Sequence, residues 1–212
     1  MKTLLYIFPA LFLLTATQSS CSKDEAEMLP TNQPANDPIT QLTDDEKNSL
    51  VFMREEEKLA RDVYLYSLDL YGMKLFSNIS QSEQVHMDAI HDLMVKYKLE
   101  DMTSKKRGVF NNTELQKLYT DLTAKCDLSL LDAMVVGATI EDLDIKDLKE
   151  QSALTSKADI LIVFEFLTCG SRNHMRSFDM QVGKNGGEYK AQFISQLEYD
   201  GIVNSSKEQC AL

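Results

Sequence analysis

Four long segments of this chain carry apolar residues at the three- and four-residue spacing of one helix face, a pattern that dictates helices packed side by side. The first opens at Thr43, where Thr43-x-x-Glu46 forms a capping box, and runs to about Tyr71 with Gly72 as its stop. Its stripe is Leu50, Met53, position 57, Ala60, Tyr64 and Leu68. The second, roughly 74–98, aligns Phe76, Ile79, positions 83 and 86, Ile90, Leu93 and Tyr97. The third, roughly 129–150, aligns Leu130, Met134, Gly137, positions 141 and 144, and Leu148. The fourth, roughly 156–182, aligns Ile160, Val163, Leu167, Ser171, position 174 and Phe178. A short helix from Thr113 to about Lys125 falls in the long connection between the second and third, and Ser195-x-x-Glu198 opens a short tail helix. With only 8 Gly and 4 Pro there is little material for the many turns of a β-sandwich. The expectation is an all-α, up-down four-helix bundle with a crossover before its third helix.

Each stripe breaks near its middle at a residue able to bind a metal. These are Glu57 on the first helix, Glu83 and His86 on the second, Glu141 and Asp144 on the third, and His174 on the fourth. Residues three apart project from one helix face, so each pair points the same way. Taken singly, each has a plainer reading. Glu55 and Glu56 read as a solvated face beside Glu57, and Glu83 with His86 reads as an exposed pair. Glu141 and Asp144 sit in an acidic run with Asp142 and Asp147 that reads as a wet surface, and a lone His174 reads as a satisfied histidine. His91 falls off its stripe and is assigned to the surface. Together they mean something else. An ionised carboxylate in a helical core costs several kcal/mol without compensation, and no inward lysine is visible to supply it. Two divalent cations would balance four carboxylates, and mixed oxygen and nitrogen donors suit iron, manganese or zinc.

Charge bounds the partners. Lys plus Arg total 22 against 33 acidic residues, a net −11 that excludes a nucleic-acid surface. At the N-terminus, Lys2 and an apolar run from Leu4 to Ala16 are too short to span a bilayer and read as a secretory signal over 1–20. Ser19-Ser20-Cys21 resembles the cleavage site of bacterial lipoproteins, in which the cysteine is lipidated. Ser22-Lys23-Asp24-Glu25 resembles the acidic tag of lipoproteins sent to the outer surface. The expected location is the outer membrane, facing the periplasm or the cell surface, with a tether over 21–42 holding Pro30, Pro34 and Pro38. Losing Lys2 takes the mature charge to −12, from −11 minus one. Cys126, Cys169 and Cys210 remain, an odd number without zinc-ribbon spacing; one disulfide is allowed outside the cytoplasm, and its pair is open.

Glu57-x-x-Ala60-Arg61-x-x-Tyr64 and Ser82-Glu83-x-x-His86 resemble the first two helix motifs of rubrerythrins and other ferritin-like proteins. More narrowly, Arg54 to Tyr64, Ser82 to Met87, Ile140 to Ile145 and Gly170 to His174 resemble an uncharacterised bacterial and archaeal family of that superfamily. The resemblance implies a ferritin-like domain over 43–204, followed by a tail at 205–212. It also implies about two irons per chain, held by Glu57, Glu83, His86, Glu141 and His174, with Asp144 in place of an additional Glu. Tyr64 would lie beside the site in a catalytic role, bonding a ligand carboxylate or an intermediate, and Arg172 reads as exposed or as a neighbour offsetting the carboxylate charge. One departure stands out: the fourth helix carries Ser171 where the superfamily has Glu. An enzyme of this kind would oxidise Fe(II) with peroxide or oxygen and need an external electron donor; the alternatives are a non-catalytic metal-binding or interaction module and a surface scaffold. A second copy of the chain is a candidate partner.

Overall fold

A computed structural model describes residues 41–212, so the expected signal, Cys21 and most of the tether lie outside the described residues. Those residues form six helices and no strand: α1 (Asp44–Tyr71), α2 (Lys74–Lys96), α3 (Thr113–Cys126), α4 (Leu130–Ser152), α5 (Ala158–Lys184) and α6 (Gln196–Val203). The described residues are all-α, and the boundaries follow local chemistry. Thr43 closes the expected capping box, its hydroxyl accepting from the Glu46 N–H while Glu46 accepts from the Thr43 N–H. Gly72, at φ +62°, ends α1 and donates its N–H to Leu68 O. Asn112 caps α3 and Ser129 caps α4 through their side chains. At α6 only the hydroxyl half of the expected box forms, Ser195 accepting from the Glu198 N–H, and the Glu198 carboxylate lies 3.5 Å from Lys149 instead. No described helix is long and apolar enough to cross a membrane.

The long helices pair in sequence order, α1 on α2 and α4 on α5, and the pairs meet where α1 touches α4 and α2 touches α5. Their apolar residues do not make one core but two. One cluster holds Leu59, Val63, Phe76, Ile79, Met134, Ala138, Met175 and Phe178. The other holds Leu50, Met53, Ile90, Leu93, Leu148, Ile160, Phe164 and Leu167. On α1, α2 and α5 the two clusters are separated by positions 55–58, 80–86 and 169–174, and on α4 positions 141–144 lie between Ile140 and Ile145 of the first cluster, ahead of Leu148 in the second. A buried polar layer crosses the molecule at that level. Close backbone approach supports it: a Cβ on Gly137 would sit 2.3 Å from the Phe178 ring, which is why this mid-helix position tolerates the entropic cost of glycine.

Other parts of the chain are anchored to this frame. Leu42, assigned above to the tether, is buried in the second cluster. The tail at 205–212 docks on α5: Glu208 accepts from Arg172 and Arg176, its N–H bonds the Asn173 side chain, and Cys210 forms a disulfide with Cys169. Of the two readings of Arg172, neither holds. It is half-buried and committed to Glu208 and Glu165.

Candidate metal centre

The polar layer collects the stripe-breaking residues into two overlapping trios. Glu57, Glu83 and His86 form one and Glu83, Glu141 and His174 the other; within each, one donor atom per residue lies within 4.8 Å of the others. Glu83 belongs to both. His86 Nδ1 stands 2.8 Å from one Glu83 oxygen and 3.1 Å from Glu57. His174 Nδ1 stands 2.9 Å from the other Glu83 oxygen and 3.4 Å from Glu141. The two imidazoles stack with ring centres 5.6 Å apart. Five of the six residues expected from the stripes are therefore brought together.

The sixth, Asp144, is not in either trio. Ser171 Oγ, on α5, donates to one of its oxygens and at 2.9 Å to the Leu167 carbonyl. The residue that departs from the superfamily pattern thus holds the carboxylate expected to compensate for it. Two neighbours that the stripes could not assign complete the frame. Ser82 Oγ contacts His174 Nε2 at 3.0 Å, fixing the ring so that Nδ1 faces inward. Gly170 leaves room for His86, whose Nε2 would be 2.4 Å from a Cβ there; a glycine inside a helix is the sequence signal of such an approach. Tyr64, fully buried, donates its hydroxyl to Glu141.

Burial also corrects the plainer readings of the acidic positions. Glu55, Glu56, Asp142 and Asp147 are all buried, not solvated. Glu55 accepts from the N–H groups of Asn111 and Asn112, pinning the start of α3 at 2.8 Å each. Asp142 accepts from the Tyr189 hydroxyl and the N–H groups of Gln192, Phe193 and Ile194. There is also a buried lysine after all. Lys58 sits with Asp62 and over the Phe110 ring, bonding the Lys106 carbonyl, so its charge is already used.

Electrostatics in the trios are those of a site lacking positive charge. Burial pushes the Glu57 carboxyl up to about 7 despite the pull of His86. Burial likewise raises Glu141, opposed by His174. For His174 burial works the other way, yet the Glu83 and Glu141 carboxylates raise it to about 10. Glu83, between two imidazoles, is held below the usual carboxylate range against the effect of burial. Even so, Glu57 Oε1, Glu83 Oε1 and His174 Nδ1 are buried with no hydrogen-bond partner, the last two lying 2.9 Å apart as an ion pair. Orphaned donor atoms converging from three helices fit a metal ion.

Residues 46–206 match the family described as an uncharacterized protein domain, DUF2202. The chain belongs to that family. The DUF2202 chain is 46% identical over 173 residues to an uncharacterized protein of Methanocaldococcus jannaschii, MJ0754, covering 81% of this chain and 94% of the relative. It is also similar to the crystal structure of the hypothetical protein MJ0754, at TM-score 0.77 and 47% identity over 79% of this chain and 96% of that one.

The shifts predict how the metal-free DUF2202 chain responds to pH. Glu57 and His174 both hold protons in the folded state to higher pH than when unfolded, so stability falls as pH rises. For Glu57 the loss spans its unfolded value of 4.5 to about 7, and for His174 it continues from 6.5 to about 10. Urea denaturation of chelator-treated protein is expected to give lower stability at about pH 7.5 than at about pH 5. Equal or higher stability at the upper pH would contradict this charge balance.

Proposed function

We propose that this chain is a dinuclear metal protein on a ferritin-like up-down four-helix bundle, with Glu83 shared between two ions, iron the preferred metal and manganese or zinc able to replace it. The observation that carries the reading is the pair of trios meeting at Glu83 with unpartnered donor atoms in each. Carboxylate and imidazole donors from four helices, including Glu-x-x-His on α2, follow the donor set of di-iron carboxylate bundles except on α5, where Ser171 stands in place of the Glu of a second Glu-x-x-His. Glu57 and His86 would hold one ion, Glu141 and His174 the other. When iron is bound, the site supplies one-electron chemistry for the oxidation of Fe(II) by peroxide or oxygen.

The protein's own groups set the conditions for that chemistry. Tyr64 orients Glu141, and Ser82 orients His174. Phe166 packs edge-on to His86, 5.4 Å between centres, limiting ring rotation. A cavity of about 520 Å³ lined by Ser82, His86, Gly170, Asn173 and His174 gives solvent and small molecules access to the imidazole side of the layer. Charge uptake is matched by proton loss: a cation displaces protons held by Glu57 and His174.

Ser171 supports a second reading. With Asp144 bonded to Ser171 and no carboxylate from α5 in either trio, the same centre would serve as a structural or metal-binding module without turnover. Metal analysis after anaerobic Fe(II) reconstitution separates the readings. About two irons per chain are expected, falling to about one in Glu57→Ala or Glu141→Ala and towards none in Glu83→Ala. Peroxide-driven Fe(II) oxidation lost in Glu83→Ala supports the enzyme, and a fully loaded chain without such oxidation supports the module. A reconstituted chain holding no metal sinks both.

For location, the proposal is a lipoprotein anchored through Cys21, based on the motif at 19–21. Labelled fatty acid is expected to be incorporated in bacteria expressing the full chain and to be lost in Cys21→Ser; incorporation unchanged by that substitution would contradict it.

A further inference from the structure

The C-terminal tail is held across the imidazole side of the layer by one covalent bond and a few polar contacts. From 204 to 212 it has no helix or strand, and none of its residues is buried. Past Ser205, its hydrogen bonds among the described residues all go to three residues of α5. Arg172 and Arg176 donate to the Glu208 carboxylate, while Asn173 bonds both backbone groups of Glu208 and approaches Cys210 Sγ at 3.2 Å. Those ion pairs are partly exposed to water, which makes them weak fasteners. The Cys169–Cys210 disulfide, closing a loop between positions 41 apart, is the strong one.

That disulfide stands between two spaces. On one side is a groove of about 440 Å³ lined by α5 and tail residues alone, among them Cys169, Arg172, Gln209 and Cys210. On the other is the cavity of about 520 Å³ that His86 and His174 line. Phe166, Glu208 and Cys210 line both and so form the partition. Phe166 packs edge-on to His86, and Gly170, the residue after Cys169, is the backbone against which the same ring lies. Behind the partition His86 is 2% exposed and His174 8%. Cys169 is buried and Cys210 is not, so the Cys210 sulfur is the one that a reductant in the groove meets. Cys126 is buried in the first apolar cluster, apart from this pair.

We propose that Cys169–Cys210 is a site of thiol–disulfide exchange whose reduction frees the tail and widens access to the imidazole side of the layer. A dithiol reductant supplies the two electrons. One of its thiolates attacks Cys210 Sγ, the bond to Cys169 breaks with its electron pair staying on Cys169 Sγ, and that sulfur takes up a proton. The reductant's second thiolate then displaces Cys210 Sγ, which is protonated in turn, and the reductant leaves as its own disulfide. Oxidised, the chain keeps the two imidazoles behind the tail; reduced, it exchanges metal ions faster. The exchange site stands on the disulfide and the two cavities, and only its effect on metal traffic rests on the dinuclear reading.

The test uses the whole mature chain, metal-free, either oxidised or treated with dithiothreitol. A neutral gadolinium chelate in solution broadens proton signals according to their exposure, and the ring signals of the three histidines are read by nuclear magnetic resonance. Broadening at His86 and His174 is expected to rise about twofold or more on reduction, while His91, which lines a different cavity, stays unchanged. Cys210→Ser is expected to reproduce the reduced state without reductant, and Glu208→Gln, its disulfide intact, to stay near the oxidised one. Signals at His86 and His174 indifferent to both reduction and Cys210→Ser would overturn the proposal. So would full release in oxidised Glu208→Gln, since the ion pairs would then be the fastener. In zinc-loaded chain, several-fold faster loss of zinc to a chelator is expected after reduction, and an equal rate would overturn the effect on metal exchange. A chain that retains no zinc while its histidine signals respond to reduction would keep the exchange site and refute the dinuclear centre instead.

Discussion

A carboxylate removed from water must be neutralised, hydrogen-bonded or protonated, and the whole architecture of this chain answers that requirement. Ten acidic side chains are buried among the described residues: Glu46, Glu55, Glu56, Glu57, Asp62, Glu83, Glu141, Asp142, Asp144 and Asp147. The fold deals with them in two ways. At the periphery of the layer, Glu55, Asp62 and Asp142 are used as anchors that gather loop N–H groups and so hold α3 and the 188–195 segment to the long helices. At its centre, Glu57, Glu83 and Glu141 meet two imidazoles, and Glu57 Oε1, Glu83 Oε1 and His174 Nδ1 are left without hydrogen-bond partners. Two apolar clusters flank that layer, which the cavity beside His86 and His174 reaches from the imidazole side. Low dielectric there strengthens any compensating charge and makes its absence expensive.

The imidazoles carry the layer's second constraint. Both present Nδ1 to the carboxylates, and what fixes them lies on the far side of each ring: Ser82 for His174, and the bare Gly170 backbone with Phe166 for His86. That arrangement leaves the same far side open to the cavity shared with the docked tail. The Cys169–Cys210 disulfide and the Arg172–Glu208 and Arg176–Glu208 pairs hold that tail in place. The tail is thus part of the wall around the candidate centre, its residues bonding partners on α5 that lie 32 to 41 positions earlier in the chain.

Much of this was legible in the sequence, for identifiable reasons. Helix spans follow from periodicity and from caps such as Thr43, Gly72 and Ser129, because those signals are local. Glu57, Glu83, His86, Glu141 and His174 stood out because each interrupts an apolar stripe, and a stripe fixes which way a side chain points. The burial of Glu55, Glu56 and Asp142 was not legible. Their donors are loop amides, or no donor at all, and neither leaves a trace in helical spacing. Lys58 escaped notice because its pairing with Asp62 depends on Phe110 and Lys106 arriving from a distant loop. Asp144 has the right spacing for a ligand, yet its fate is decided by Ser171 across the helix interface. The disulfide could not be chosen from three cysteines, since pairing is a matter of where the tail lands.

The central claim is that two metal ions share Glu83 inside the polar layer. Anomalous diffraction from crystals of the metal-loaded chain tests it most directly. Two peaks flanking the Glu83 carboxylate, one against Glu57 and His86 and the other against Glu141 and His174, are the predicted result. Density for metal only at other positions, or none within the layer of a fully loaded protein, would contradict the account.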